Sequence, residues 1–341
     1  MAIFEINKSN LIYNVNYIRK RLNNGVKLCA MVKGNAYGHN IKVVSKIIEP
    51  FVDYFGVATI EEGIALRHSG VEKNILCVGK CTDGKFYDAS KYNIEVSVED
   101  FGQLKNLESS KLKIKIHLKI DTGMHRLGFN DLKEFSKALS LIKNSKNLRL
   151  SGVFTHFSVA SVENYNNQLK TFEKYLKLCP KNIIVHCSNS LASRYNSLQY
   201  DMVRVGLSIY GYGESHLKKV LKVKSKVISI RHIKKGEKVG YDGSFIATND
   251  TIIGTIFLGY YDGINRKLSN NGYVRINNKR YRIVGNICMD MFMVEIDNSI
   301  KVGDEVVIFE NADEWAEKCQ TIPYEIITSF KSERMEIKII K

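Results

Sequence analysis

At 341 residues, with 44% hydrophobic and 25% charged residues, the chain has room for one large domain or two ordinary ones and enough apolar content for a globular core, which excludes wholesale disorder. Its apolar runs end well short of the ~20 residues of a membrane-spanning helix, and the opening MAIFEINKSN predicts no secretory leader. The net charge of +16 comes from lysines that outnumber arginines 38 to 13 and are spread along the whole length, a solvated surface suited to small anions rather than a nucleic-acid motif.

In chain order, short β-branched or apolar runs fall at Lys27 to Lys33, Tyr54 to Thr59, Asn74 to Lys80, Ile94 to Glu99, Lys113 to Asp121, Leu150 to Phe157, Asn182 to Asn189 and Asp201 to Gly211. Segments of helical spacing lie between them, as in Asn130 to Ser145, where Leu132, Phe135, Leu139 and Ile142 recur every three or four residues. The runs start about 25 residues apart, which suits a strand, a helix and two short loops. Eight such units in succession predict an α/β fold of the (β/α)8 barrel type. A doubly wound sheet is the alternative, but KGNAYGHN after the first run is not a glycine-rich dinucleotide turn.

After about Leu217 the texture changes to strands joined by Gly, Asn and Asp turns, among them KVKSKVISI, TIIGTIFLGY and KRYRIVGNICMDMFMVEID. The expected partition is a barrel over residues 1–217 and a β-strand-rich domain over 218–341. Seven scattered cysteines, an odd number with no CxxC, read as reduced thiols in a cytoplasm and not as a disulfide framework or metal site.

Barrel chemistry sits at the carboxyl ends of the strands. There this chain carries Lys33, Lys119 and Asp121, His156, Asn189 and Ser190, and Arg204. Each taken singly is an ordinary surface or core residue; five strand ends carrying polar groups together point to a site. Ser190 and the backbone near Gly206 and Leu207 lie where strands 7 and 8 of a barrel frame a phosphate, and a lysine near such a site suggests a cofactor held covalently. In KLKIKIHLKI, Leu112, Ile114, Ile116, Leu118 and Ile120 share one face, while Lys111, Lys113, Lys115, His117 and Lys119 share the other. With the apolar face under the helices, Lys119 points into the barrel mouth, where a bare ammonium needs a partner or a modification.

Several motifs in order resemble the alanine racemase family. Val32 to His39 (VKGNAYGH) resembles its pyridoxal phosphate lysine motif, and Lys119 to Gly128 (KIDTGMHRLG) resembles K-x-D-T-G-M-x-R-x-G. Thr155-His156-Phe157, HCSNS at 186–190, VRVG at 203–206, Val239-Gly240-Tyr241, GYYDG at 259–263 and ICMD at 287–290 follow in family order. The resemblance implies a barrel plus a β-rich domain that racemises L- and D-alanine with pyridoxal 5'-phosphate, supplies D-alanine for peptidoglycan, and uses no metal.

Carried over residue by residue, it implies that Lys33 bonds the cofactor and serves as base on one face of the substrate α-carbon, with Tyr241 on the other. Two bases on opposite faces are what a racemase needs, since one removes a proton and the other supplies one. A free tyrosine, with a reference pKa near ~10, is a poor base, so Tyr241 would need nearby cations or an ionised neighbour such as His156. Arg204 would face the pyridine nitrogen; Tyr37, Asn189, Ser190, Gly206 and Leu207 would hold the phosphate side, with His156 also at the cofactor. Arg126, Tyr260 and the Met289 amide would bind the substrate. Lys119 matches a position that the family carbamylates, and Tyr241 and Met289 would arrive from the second subunit of a homodimer.

The chain also departs from the pattern. Ser329-Phe330-Lys331-Ser332-Glu333-Arg334 stands where the family resembles S-Y-R-V-P-R, so Phe330 lacks a hydroxyl expected at the phosphate and beside the substrate methyl. That predicts serine as a side substrate, because an apolar wall rejects an added hydroxyl weakly. Ser161 and Asp242 are smaller departures. A fold-related basic amino-acid decarboxylase would place an acid where Arg204 stands, and a lone-barrel carrier would lack the strands after Leu217.

Overall fold

The computed structural model describes residues 2–158 and 162–341. Eighteen strands are seen among them. β1 is Ala2–Asn7; β2 to β9 are Lys27–Met31, Tyr54–Val57, Asn74–Lys80, Ile94–Val98, Ile114–Ile120, Leu148–Thr155, Ile184–His186 and Met202–Val205. β10 to β18 are Leu221–Ile233, Lys238–Val239, Phe245–Ile246, Thr251–Phe257, Tyr273–Ile276, Lys279–Val284, Met291–Ile296, Glu305–Phe309 and Met335–Ile340. None of the described helices is long and apolar enough to cross a membrane.

The chain divides into two compact units: residues 12–36 with 41–209, and residues 1–11, 37–40 and 210–341. In the first, β2 to β9 form a parallel sheet in the order β8-β7-β6-β5-β4-β3-β2-β9. The Asp201 amide donates to the Val185 carbonyl and the Arg204 amide to that of Ser188, at 3.1 and 3.0 Å, joining the two ends of that order into a barrel. The eight-unit barrel expected from the spacing is present, and its helices begin on the signals the sequence carries. Thr59, Asp100 and Asp131 accept from the backbone N–H of Glu62, Gln103 and Glu134, each cap worth about 1 kcal/mol.

The second unit is antiparallel for the most part, with β13-β16-β15-β14-β17-β10-β1-β18 in one sheet and β13 also paired to β10. β1, the start of the segment assigned by sequence to the barrel domain, hydrogen bonds here, antiparallel to β10 and parallel to β18. Phe309, Trp315 and Phe330 pack together in this unit, with the ring centroids of Phe309 and Phe330 4.6 Å apart.

The barrel interior departs from a plain apolar core. β6 turns its apolar alternation outward and carries His117, fully buried, and Lys119, 6% exposed, on the inner face. Gly152 on neighbouring β7 makes room, since a Cβ there would lie 2.4 Å from the His117 Nδ1.

Candidate active site

The polar residues at the strand ends of the barrel come together, and β2 and β9 are hydrogen-bonded neighbours with Cys29 opposite Arg204. Lys33 follows β2 and is reached by solvent. Desolvation in the mouth, then Arg126, Arg204 and Lys119, lower its proton affinity, and Glu62 acts in the opposite sense. Its amine is therefore more available as a nucleophile than that of a free lysine.

Arg204 is 5% exposed. Its Nη1 donates to His186 Nδ1 at 2.7 Å and to the His186 carbonyl at 3.2 Å; Nη2 donates to the carbonyls of Thr155 at 2.7 Å and Cys187 at 3.3 Å. Among the described residues Nε has no acceptor, so the guanidinium is clamped by both ends with one donor to spare. Burial brings its pKa down to about 10, still protonated at neutral pH.

Behind Arg204 runs a chain of hydrogen bonds whose direction can be deduced. An arginine only donates, so His186 accepts at Nδ1 and carries its proton on Nε2. That proton is given to His117 Nδ1 at 2.9 Å, and His117 Nε2 in turn donates to Glu95 at 2.8 Å. Burial, then Arg204 and His117, push the His186 pKa well below its ordinary value, in keeping with a neutral ring.

Lys119 Nζ donates to Glu99 at 3.3 Å, and both are buried. Burial raises the Glu99 carboxyl and lowers the Lys119 amine, while each opposes the shift in the other. Asp121 accepts three backbone N–H groups, from Gly123, Met124 and His125, at 2.9 to 3.0 Å. Burial works against its ionisation, but these bonds hold its carboxyl below the usual range. The turn so formed presents Arg126, which is exposed and has no ion-pair partner among the described residues.

The loops after β8 and β9 meet at Ser190, whose Oγ accepts the Gly206 amide at 3.0 Å. The Gly206 N–H is thereby used within the protein, leaving the Ser190 hydroxyl proton and the Leu207 amide for a ligand. Asn189 Oδ1 accepts the amides of Leu191 and Ala192, both at 3.0 Å, and so shapes the same loop. His156 is pushed down to about 3 by burial and by Arg204, Arg126, Lys33 and Lys119. It is neutral, which removes the ionised imidazole that the sequence reading offered to Tyr241.

In the other unit, Tyr37 is buried against Tyr210, its ring centroid 5.0 Å away. Its turn needs glycine next: Gly38 has a φ of +80°, and a Cβ there would meet the Ile327 carbonyl oxygen at 2.1 Å. Tyr241, Met289 and Tyr260 are 70%, 51% and 45% exposed. The Met289 carbonyl accepts from Tyr261, and the Met289 amide has no acceptor among the described residues. Arg334 ties three motifs together, donating twice to Asp262 of GYYDG, at 2.9 and 2.7 Å, and once to Asp290 of ICMD at 2.6 Å. Phe330, by contrast, is buried against Phe309 and Trp315. Ser161 lies outside the described residues.

The sequence reading missed Glu62, Glu95 and Glu99, and gave His186 no role. The signal for two of them was present: Glu95, Ser97 and Glu99 alternate along β5 and the residue after it, beside the polar face of β6.

The chain combines a parallel barrel, with a lysine and an arginine at neighbouring strand ends, and an antiparallel β unit, and comparison identifies its family. The family model described as "Alanine racemase, N-terminal domain" matches residues 6–214, and "Alanine racemase, C-terminal domain" matches residues 220–338. The alanine racemase of Fusobacterium nucleatum is 38% identical over 325 residues, covering 91% of each chain. Among solved structures, the alanine racemase of Clostridium difficile 630 has a TM-score of 0.93 at 33% identity, covering 99% of this chain and 95% of that one. That of Bartonella henselae, described with covalently bound pyridoxal phosphate, has a TM-score of 0.90 at 28% identity, covering 99% of both. The chain belongs to the alanine racemase family.

Proposed function

We propose that this chain interconverts L- and D-alanine with pyridoxal 5'-phosphate, as a cytoplasmic homodimer that supplies D-alanine for peptidoglycan. The observation that carries the reading is the pairing, on adjacent strand ends, of a lysine of lowered proton affinity with a clamped arginine whose Nε has no acceptor among the described residues. The residues fit the cofactor on three counts. Lys33 offers an amine, Arg204 offers its Nε to the ring nitrogen, and the positive field of Arg126 and Arg204 suits a phosphate held by Ser190, Leu207, Asn189 and Tyr37.

Pyridoxal phosphate, when bound, supplies an electron sink that acidifies the α-hydrogen of the amino acid joined to it. Arg204 limits that sink, because a guanidinium that stays protonated donates a hydrogen bond without surrendering its proton. A limited sink favours return of the proton to carbon over transfer elsewhere. Lys33 Nζ takes or gives the proton on one face of the α-carbon, and Tyr241 Oη serves the opposite face from a second copy of the chain. Arg126 and the Met289 amide hold the substrate carboxylate, with Tyr260 beside them, and neutral His156 lines the cofactor site. Lys119 is the position for a carbamate, formed from CO2 on its neutral amine. Such a carbamate would sit beside Glu99, so it needs that carboxyl protonated, the direction in which burial pushes it. Serine is a side substrate.

The test is conversion of each alanine enantiomer by the purified, cofactor-loaded protein, with solvent deuterium followed into both products. Conversion with deuterium at the α-carbon supports the reading; pyruvate without racemisation overturns it.

A further inference from the structure

The chain's most unusual backbone lies beside Lys33. Gly34, Asn35, Ala36 and Tyr37 all have positive φ, from 52° to 62°, in a left-handed turn that L residues rarely sustain for more than one position. Something must hold it. The Ala36 amide donates to the Val32 carbonyl at 2.7 Å and the Ile41 amide to Asn35 Oδ1 at 2.9 Å, both within the same segment. A side-chain hydrogen bond from another element comes from Glu62, whose Oε1 accepts the Gly34 amide at 2.6 Å.

Glu62 is well placed for this. It stands in the first turn of the helix Ile60–His68, whose cap Thr59 accepts the Glu62 amide at 3.3 Å. Its other oxygen, Oε2, accepts the Ala58 amide at 2.8 Å, just beyond the end of β3. One carboxylate thus ties the loops that leave two neighbouring barrel strands, at the residue after Lys33. It is also an anion that acts on Lys33 against the cations Arg126, Arg204 and Lys119.

We infer that Glu62 is a positioning residue for Lys33: it clamps the left-handed turn that aims the lysine and offsets the cationic surroundings of its amine. The inference rests on Lys33 being the reacting lysine. A plain helix cap would explain the Ala58 contact, but not a bond to Gly34 on a different element. The clamp predicts that loss of the Glu62 charge disturbs Lys33 itself, whereas loss of the cap alone does not.

The experiment compares Glu62→Gln, Glu62→Asp and Thr59→Ala in the full chain. Peptide mapping after borohydride reduction of the wild-type holoenzyme first assigns the reacting lysine; a pyridoxyl group elsewhere overturns the reading of Lys33 and leaves no lysine for Glu62 to position. Competitive acetylation of the cofactor-free chain across pH then reads the titration of Lys33. Glu62→Gln is expected to move that titration to lower pH and to reduce kcat by about ten- to a hundredfold with KM little changed, the size of effect that misplacement of a reacting group produces. Glu62→Asp keeps the carboxylate and is expected to hold the titration nearer wild type while still lowering kcat. Thr59→Ala is expected to lower Tm with the Lys33 titration and kcat unchanged. If both Glu62 variants behave like Thr59→Ala, or if Glu62→Gln does not fold and Glu62→Asp is wild type in kcat and titration, the clamp is wrong and Glu62 serves the helix only.

Discussion

The two units differ in how they hold their polar site residues, with Lys33 and Arg126 the exposed members of the barrel's set. In the barrel, Arg204, His186, His117, Lys119, Glu95 and Glu99 are all buried, and each has a named partner between 2.7 and 3.3 Å. In the β-rich unit, Tyr241, Met289 and Tyr260 stand exposed, and Tyr241 lines a cavity of about 530 Å³ with Val239, Cys288, Met291 and Met293 among others. A parallel barrel brings eight strand ends to one mouth, so polar groups there constrain one another and are set before any ligand arrives. An antiparallel sheet carries its loops outward, and its reactive groups gain a fixed environment only when something covers them. Under the proposed dimer that cover is a second copy of the chain.

The contrast can be broken most directly at its two reactive groups. Lys33→Ala is expected to cost at least ~10³-fold in kcat, the upper range for a lost acid-base group. Tyr241→Phe is expected to cost ~10²- to 10³-fold, and unequally, because Tyr241 serves one face. Deuterium wash-in followed separately from each enantiomer reads this; equal residual exchange from both would remove the two-base assignment.

Mixing the two inactive chains sharpens the comparison further. If the exposed residues of one copy complete the barrel mouth of another, half the dimers after exchange are mixed and each has one intact site. Activity should then return to about a quarter of wild type. Recovery absent after verified subunit exchange means that each chain builds its site alone.

A third test bears on the buried histidines. His156 is held at about 3 when folded against an ordinary 6.5, and His186 is also lowered. Between those limits the unfolded chain binds more protons than the folded one, so stability falls as pH drops from about 6.5 toward 3 and is fully present above that window. Urea midpoints measured downward from neutral pH should show the loss, and His156→Gln should reduce its steepness. An unchanged slope would mean that His156 does not stay neutral in the folded chain.

The smallest effect is expected at Phe330. Restoring the hydroxyl in Phe330→Tyr should raise the alanine-to-serine ratio of kcat/KM and tighten the cofactor by about 1 kcal/mol, one hydrogen bond's worth. A lower Tm with both quantities unchanged would assign the ring to packing against Phe309 and Trp315 alone.

Much of the barrel was legible because each βα unit writes its own period: an apolar run, a helix with three- and four-residue spacing, and about 25 residues to the next. The inner face of β6 was legible in part, since the Lys and His alternation announced a polar face but not its partners. Those partners lie on other strands, and distance along the chain says nothing of hydrogen-bond distance across it. The place of β1 was illegible for the same reason, because AIFEIN pairs with strands more than two hundred residues away.

By itself the sequence determined the strand and helix order, the family, and the identity of the lysine, arginine and tyrosine that the resemblance singles out. These are local features, carried by runs of neighbouring residues and by motifs in order. Only the tertiary structure decided that His156 is neutral, that Lys119 meets Glu99, that Arg204 is clamped through both Nη atoms with its Nε to spare, and that Glu62 holds the turn beside Lys33. Proton affinity and donor geometry depend on burial and on charges brought in from distant strands, and those exist only once the barrel has closed.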